Sequence, residues 1–207
     1  MPLRRIDTRY VRRDVARLHQ GDILRDITFV EGVAAATDAD GEPHLDVINR
    51  AFPYVVVLTQ DCDLEQDYDN RADNSRQNQD KYLFTVLVCP AYLAAQLKEG
   101  THLGEGQKMQ RLSSDLWRPV KNNLNDRYHY LNEDQNLQVP DLVLDFKQYF
   151  TIPRDQICAP DLAGNYLATL NALFREDLCR RFADYLTRIA LPNIGLPTPA
   201  QAAAPAQ

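Results

Sequence analysis

The sequence predicts an α+β fold, mainly β, in the form of a small, strongly bent barrel or half-open sheet with helices at its ends. Two apolar runs, at 54–59 and 82–89, indicate buried strands, because consecutive β-branched residues pack well on a pleated surface. A later stretch repeats apolar residues every three or four positions from Leu167 to Ile189 and indicates a long C-terminal helix. Strands do not alternate regularly with helices, which argues against a doubly wound parallel sheet.

The composition is that of a globular chain. The 207 residues include 23 Lys and Arg against 29 Asp and Glu, a net charge of −6, and 44% are hydrophobic. These fractions exclude a disordered or collagen-like chain, and no apolar run approaches the roughly 18 residues that span a bilayer. The first residues lack the apolar core of a secretory signal. The cysteines (Cys62, Cys89, Cys158 and Cys179) form no C-x-x-C pair, so we expect reduced thiols in a cytoplasmic protein without a membrane contact.

The first part of the chain is predicted to contain an arm, a hairpin and a central strand. Residues 1–20 carry apolar residues at near-helical spacing with arginines between them, which is typical of a short amphipathic helix or an arm. Strands are predicted at 23–30 and 44–48, around a turn rich in Asp, Gly and Pro. The strand at 54–59 is apolar on both faces and belongs at the centre of the sheet. Residues 60–81 are nearly all polar and are predicted to form a long surface loop.

The second part of the chain is predicted to add strands and the C-terminal helix. Its elements are a strand at 82–89 ended by Pro90, a helix at 91–98, and strands at 127–131, 142–146 and 149–152. The C-terminal helix is expected to have Asp161 as its N-cap and to end at Pro192. The predicted organisation is a basic arm at 1–20, a barrel domain at 21–157, a helix packed on it at 158–192 and a disordered tail at 193–207.

The candidate catalytic residues follow the valine-rich strand directly. Asp61, Cys62 and Asp63 place two carboxylates and a thiol within three positions. If the strand geometry continues, the two carboxylates share one face and the thiol takes the other. Neighbouring carboxylates suit acid–base chemistry or a hard cation, and a thiol can act as a nucleophile when a base is near. In the alternative interpretation the aspartates cap the loop and Cys62 is a small buried hydrophobe. Asp22, at the entry of the first strand, is a candidate partner of this turn.

A second group of residues suits nucleic acid. Arg118, Lys121, Arg127 and His129 lie among aromatic residues of the sequence, and single strands need cations for phosphates and flat rings for bases. The same mixture also occurs at protein interfaces. The arginines crowded before position 18 and the acids crowded in 61–80 suggest a nucleic-acid arm, a contact between the two segments, or a solvated face. No pair of histidines has metal-ligand spacing, and no cofactor motif is present, so neither a metal nor a cofactor is predicted.

Three short segments, in this order, resemble the MazF/PemK-type toxin family. They are Gly21-Asp22-Ile23, the Pro-Tyr-Val-Val-Val-Leu-Thr-Gln-Asp run at 53–61, and the Phe-Thr-Val-Leu-Val-Cys-Pro-Ala run at 84–91. The resemblance implies an SH3-like barrel, a prokaryotic setting and, as the family's usual activity, cleavage of single-stranded RNA. The chain departs from the family where a catalytic Arg precedes Pro, because Phe52 stands there. It also lacks the Thr expected just after the third strand's Pro.

Three functional hypotheses follow from these residues. The first is a binding or adaptor module with a MazF-like barrel in a toxin–antitoxin or phage-defence system. This hypothesis predicts a protein partner and leaves open whether the chain forms a homodimer. The second is an endoribonuclease for single-stranded RNA, with a site drawn from Asp22, Asp61, Asp63, Arg127 and His129 that must converge in one groove. The third is an enzyme that depends on Cys62 or on a metal, which requires a base near the thiol or three ligands around one point.

Overall fold

The part of the chain that the structure describes folds around one antiparallel sheet. The computed structural model describes residues 8–73, 75, 79–104, 106–107, 109–158 and 162–188. The strands are β1 Tyr10–Val11, β2 Asp22–Thr37, β3 Pro43–Val57, β4 Thr85–Leu93, β5 Tyr128–Leu131, β6 Leu142–Asp145, β7 Phe150–Pro153 and β8 Tyr166–Leu170. The helices are α1 Asp61–Arg71, α2 Ala94–Glu99, α3 Ser114–Lys121, α4 Arg154–Ile157, α5 Leu162–Asn165 and α6 Ala172–Leu186. The predicted class, α+β and mainly β, is confirmed.

The sheet curls into a half-barrel with the strand order β1-β8-β2-β3-β4-β6-β5, and β7 pairs with β4 beside this path. The valine-rich run lies at its centre, because β3 pairs with β2 on one side and β4 on the other. Val56 packs into one core cluster, whereas Val55 and Val57 pack into another, and all three are fully buried. The strand predicted as apolar on both faces is therefore buried on both faces.

The hairpin of β2 and β3 is longer than the sequence predicted. Its turn is the expected Asp/Gly/Pro segment, where Gly41 has a φ of +87° and the Asp38 carboxylate accepts hydrogen bonds from the backbone of Asp40 and Glu42. The strands predicted separately at 44–48 and 54–59 are one continuous strand, β3. Beyond the sheet, residues 30–37 and 43–49 pair only with each other among the described residues and form a projecting two-stranded ribbon.

Pro90 does not end its strand, contrary to the sequence-based expectation. It lies inside β4, opposite Val55. On the other side of β4, Thr85–Val88 pair with β7 and Ala91–Leu93 pair with β6. Pro90 therefore falls in the gap between these two neighbours, where its missing N–H interrupts no ladder on that side. The strands predicted at 127–131, 142–146 and 149–152 are confirmed as β5, β6 and β7.

The C-terminal helix is shorter than predicted. Leu167 and Leu170, the first two members of its apolar repeat, belong to strand β8, which pairs with β1 and β2. The helix α6 starts after Asn171, whose side-chain oxygen accepts a hydrogen bond from the N–H of Ala172 at 2.7 Å. Short apolar runs are compatible with a helix or with a strand. The run that contains Leu167 and Leu170 is a strand because it pairs with β1 and β2. The expected N-cap Asp161, the end at Pro192 and the tail at 193–207 lie outside the described residues.

The acid-rich segment after β3 is a helix rather than the predicted loop. Helix α1 carries Asp61 and Asp63 in its first turn, where the helix dipole favours negative charge. Its inner side buries Leu64 together with Asp67, whose carboxylate bonds Arg71 and Arg154 at 2.7 Å each. The ion-paired Asp67 occupies a buried position where an amphipathic helix usually has an apolar residue. The sequence of α1 therefore lacks the regular repeat of apolar residues that predicts a helix. None of the described helices is long and apolar enough to cross a membrane.

Candidate functional site

The acidic turn begins helix α1, so its side chains do not have the predicted strand geometry. Residues two apart in a helix point in directions about 200° apart, so Asp61 and Asp63 do not share a face. Asp61 turns toward the N-terminal arm, and Asp63 approaches the thiol of Cys62 at 3.6 Å. The turn therefore does not form a pair of adjacent carboxylates for acid–base work.

Asp61 anchors the arm that precedes β2. Its carboxylate accepts from Arg17 Nη1 at 3.2 Å and from the backbone N–H of Gln20 at 3.3 Å, and its Oδ1 lies 3.0 Å from His19 Nδ1. Burial acts to raise the pKa of Asp61, but the hydrogen bond and charge of Arg17 and the hydrogen bond from the Gln20 N–H act against it, and this pKa is lowered overall. Burial, assisted by Arg13 and Arg17, lowers the pKa of His19, so the imidazole is neutral at pH 7. The arginines before position 18 and the acids in 61–80 had three interpretations, and the structure supports a contact between these two segments, because Arg17 pairs with Asp61 and Glu65.

Asp22 is fully buried beneath the same arm. Its Oδ1 accepts from the Thr169 hydroxyl at 2.7 Å, and its Oδ2 accepts from Arg13 Nη2 at 2.5 Å and from the N–H of His19 at 2.8 Å. The Thr169 hydroxyl also contacts Tyr166 and Arg13. Asp22 and Asp61 therefore hold neighbouring parts of one arm, and both carboxylates are occupied by donors of the protein itself.

Cys62 is exposed, and its thiol contacts oxygen atoms of Gln60 and Asp63 rather than a histidine or lysine base. The thiol lies 3.6 Å from Gln60 Oε1 and 3.6 Å from Asp63 Oδ1. A nucleophilic thiol needs a neighbouring base to remove its proton, and carboxylates disfavour the thiolate. Among the described residues no three His, Cys, Asp or Glu side chains are grouped so as to hold a metal ion. The requirements of the third hypothesis are not met in this part of the chain.

Two of the four predicted nucleic-acid contacts are engaged inside the protein. Arg127 binds Asp145 through two hydrogen bonds, at 2.7 and 2.5 Å, which raises the pKa of Arg127. His129 is 3% exposed and accepts a hydrogen bond at Nδ1 from Arg181 at 3.1 Å. Burial, together with Arg181, lowers the pKa of His129 to about 3. In the described part of the chain, Arg127 and His129 are bonded to Asp145 and Arg181, whereas Asp22 and Asp61 are bonded to the N-terminal arm, so the expected convergence in one groove stays a prediction.

The other two predicted contacts lie on a short helix. Arg118 and Lys121 belong to α3, which begins at the cap formed by Ser113, whose hydroxyl accepts from the N–H of Leu116 at 3.4 Å. Both are exposed or half-buried, and Trp117 of the same helix packs edge-on against Tyr130 at 6.0 Å. Arg118 and Lys121 are exposed on this surface, but the surface offers little exposed ring, because the indole of Trp117 is half-buried against β5.

A groove lies elsewhere, at the root of the β2–β3 ribbon. Two adjoining cavities measure about 410 and 270 Å³, and six residues line both: Glu31, Arg50, Phe52, Tyr92, Leu103 and Gln107. The first extends toward Asn49, Pro53 and His102, and the second toward Phe29, Lys147, Tyr149 and Phe150. Together they form one groove, which we call the root groove. Large concave surfaces with a few polar groups are the usual place for a ligand.

Three phenylalanines form the wall of the root groove. Phe52 stacks on Phe150 with 4.6 Å between ring centroids, and Phe29 lies 5.3 Å from Phe150 and 6.4 Å from Phe52. Arg50 is ion-paired with Glu31 at the rim, and Lys147 is exposed beside it. Flat apolar rings and cations are thus combined in one concave surface.

His102 is the unusual polar group of the root groove. It is 7% exposed, and neither ring nitrogen has a hydrogen-bond partner among the described residues. Buried polar groups are normally paired, so His102 keeps hydrogen-bonding capacity that the described part of the chain does not use. Burial lowers the pKa of His102, so the ring is neutral and offers one donor and one acceptor. Its ring meets the edge of Tyr92 at 4.6 Å between centroids.

The sequence reasoning missed the root groove, although one signal was present. Lys147, Tyr149 and Phe150 repeat the mixture of cation and rings that singled out 117–130. Phe52 was noted only as a departure from a family pattern. His102 lies in a loop segment, where nothing in the local sequence marks its burial. The partners that bury it come from β4, which only the fold brings close.

Comparison with known proteins found no match to a protein-family model and no match among curated proteins. The likeness to MazF/PemK-type toxins therefore rests on three short segments and stays a prediction. Function must be argued from the root groove and the acidic turn themselves, because fold alone does not identify an activity.

Proposed function

We propose that the protein is a binding module and that the root groove takes up single-stranded RNA. The observation that carries the proposal is the combination of a wall of stacked phenylalanines with Arg50 and Lys147 in one concave surface. Single strands bind such surfaces because their bases stack on rings while their phosphates meet cations. The unpaired nitrogens of His102, near the side-chain amides of Asn49 and Gln107, add groups that pair with base edges.

The net charge of −6 supports this choice of a local groove over a broad basic surface. An acidic chain repels a polyanion at long range, so binding depends on the few residues that touch the strand. This limits the number of phosphates in contact and favours stacking as the main source of affinity. Among the described residues the root groove has one carboxylate, Glu31, and one histidine, His102, which favours a binding role over cleavage.

The test is fluorescence anisotropy with short labelled single-stranded RNA and a duplex of the same sequence. Tyr149→Ala is expected to weaken single-strand binding about tenfold, because one base stack is worth about 1–3 kcal/mol. Lys147→Ala should weaken it as well and reduce its salt dependence, because it removes a phosphate contact. The matched control is Arg118→Ala with Lys121→Ala on α3, which removes two exposed cations away from the root groove. Thermal melting checks that Tyr149→Ala, which contacts Phe182 at 5.3 Å, keeps the fold.

The proposal fails if the wild-type protein does not bind single strands more tightly than duplex. It also fails if the α3 control loses as much affinity as the groove variants, because binding would then lie on the surface that the sequence suggested.

A second candidate function is cleavage of single-stranded RNA at the acidic turn, favoured by the contact between His19 and Asp61. His19 Nδ1 lies 3.0 Å from Asp61 Oδ1, and a neutral imidazole with its proton on Nδ1 has Nε2 as an acceptor. Such a group can remove the proton from a ribose 2′-hydroxyl, whose oxygen then attacks the adjacent phosphorus and displaces the 5′-oxygen. Arg17 lies beside it but is already bound to Asp61.

This second function is tested by incubating labelled RNA with the protein, with and without divalent metal, and separating products on a denaturing gel. His19→Ala should abolish cleavage and Asp61→Asn should slow it, whereas Asp63→Asn, which lies on the other side of α1, should leave it unchanged. Absence of cleavage by the wild-type protein, or cleavage that survives His19→Ala, eliminates this candidate.

A further inference from the structure

The larger of the two cavities in the root groove contains polar groups whose hydrogen-bonding capacity the fold does not use. His102 is 7% exposed, and both of its ring nitrogens lack a partner in the described part of the chain. Asn49 and Gln107 line the same cavity and add side-chain amides, and its volume of about 410 Å³ is in the range of small-ligand sites. A buried polar group without a partner destabilises a fold, so His102 indicates a polar ligand in this cavity.

Glu31 and Arg50 form an ion pair and line both cavities. The register of β2 and β3 shifts between Val30 and Gly32, so Glu31 is the extra residue of a β-bulge. Bulges often aim a side chain at a functional site. Arg50 bonds Oε1 of Glu31, whereas Oε2 has no partner among the described residues. The pair therefore combines a free acceptor oxygen with the remaining donors of a guanidinium.

Guanine is the base that matches this arrangement of groups. Its Watson–Crick edge presents two adjacent donors, N1–H and the N2 amino group, followed by one acceptor, O6. A carboxylate accepts from both donors, and a guanidinium beside it donates to the oxygen. The same edge of uracil, adenine or cytosine has a single donor group and at least one acceptor next to it. A carboxylate placed against these bases would therefore face an acceptor atom and be repelled by it.

We propose that the larger cavity of the root groove holds a guanine base of the bound strand, with Glu31 and Arg50 on its Watson–Crick edge. This inference rests on the proposed function, because it assigns a base preference to the same groove. The rings of Phe52 and Tyr92, which line this cavity, supply apolar contact for the base. His102 pairs with a second edge of the base and thereby gains the hydrogen bond that the fold does not provide.

The test is fluorescence anisotropy with labelled uridine oligomers of one length that carry a single guanosine, adenosine or cytidine in the middle. The guanosine oligomer should bind the wild-type protein about tenfold more tightly than the others, which is the contribution of one hydrogen bond to a charged group. Inosine in place of guanosine removes only the N2 amino group. It should lose most of the preference, because Glu31 then meets one donor instead of two.

Two variants test the assigned side chains. Glu31→Gln keeps the size of the side chain but removes the carboxylate, and it should abolish the preference for guanosine. The matched control is Glu42→Gln, which removes a carboxylate from the turn of the β2–β3 hairpin and should keep the preference. His102→Phe keeps a ring but removes both nitrogens. It should weaken binding of the guanosine oligomer about tenfold, while urea unfolding shows an equal or higher stability, because an unpaired buried group is lost.

The outcomes separate this inference from the proposed function. A wild-type protein that binds none of the oligomers overturns both. Equal affinity for all of them, or tightest binding of adenosine or cytidine, overturns the guanine assignment and leaves the proposed function in place. A preference that survives Glu31→Gln, or that inosine reproduces in full, overturns the role of Glu31. A His102→Phe variant that binds normally and unfolds more easily makes His102 a structural residue and overturns its contact with the base.

Discussion

Replacing Asp22 tests whether this candidate catalytic carboxylate is in fact a structural anchor. Asp22→Ala removes a fully buried carboxylate that accepts from Arg13, the N–H of His19 and the Thr169 hydroxyl. Breaking a buried ion pair by deleting one partner costs about 3–5 kcal/mol, because the other charge is left unpaired. Arg13 keeps 21% of its side chain in solvent, so water recovers part of that loss. We therefore expect the free energy of unfolding to fall by about 3 kcal/mol, at the lower end of that range.

Asp22→Asn separates the charge from the hydrogen bonds. Its amide oxygen can still accept from Arg13 and from the N–H of His19. Its NH₂ group can donate to the Thr169 hydroxyl, which then turns its own proton to Tyr166, 2.8 Å away. The loss should therefore be only about 1–2 kcal/mol, the difference between a charged and a neutral acceptor.

Urea unfolding with linear extrapolation gives both values, and the slope should stay constant if only the folded state changes. A loss below about 1 kcal/mol for Asp22→Ala, or equal losses for Asn and Ala, would refute the anchor role. If RNA cleavage is found, Asp22→Asn that unfolds normally but does not cleave would restore Asp22 to the list of catalytic residues.

Two further predictions concern groups that the fold buries or strains. Burial and Arg181 lower the pKa of His129 to about 3 in the folded protein, from about 6.5 in the unfolded chain, so the unfolded chain binds the proton first and the free energy of unfolding falls on acidification. His129 alone should lower this free energy by about 2 kcal/mol between pH 7 and pH 5. Urea titrations at both pH values should show this loss in the wild type and not in His129→Asn. Gly100 has a φ of +76°, and an added Cβ would lie 2.2 Å from the Met109 carbonyl oxygen, so Gly100→Ala should lower the free energy of unfolding by at least about 2 kcal/mol. Gly32 has open space around it, so Gly32→Ala should raise this free energy by about 0.5 kcal/mol. Similar melting temperatures for the two variants would contradict this prediction.

The strands of the central sheet were predictable because their pattern is local. The valine run of β3 is apolar on both faces. The turn at Gly41 is stabilised by a local hydrogen bond from the N–H of Glu42 to the carboxylate of Asp38. The continuous β3 was not predicted, since the exposed residues 44–51 carry no burial pattern that a sheet would impose. The long hairpin is held by pairing across the ribbon rather than by a core.

The elements that sequence reasoning missed depend on distant partners. Helix α1 buries Asp67 because Arg154 arrives from 87 residues away, so a charge occupies a position where the pattern requires an apolar residue. Strand β8 was assigned to a helix because Leu167 and Leu170 fit the period of both, and only pairing with β1 and β2 decides. The root groove depends in the same way on side chains from β2, β3, β4 and β7, which no local window contains.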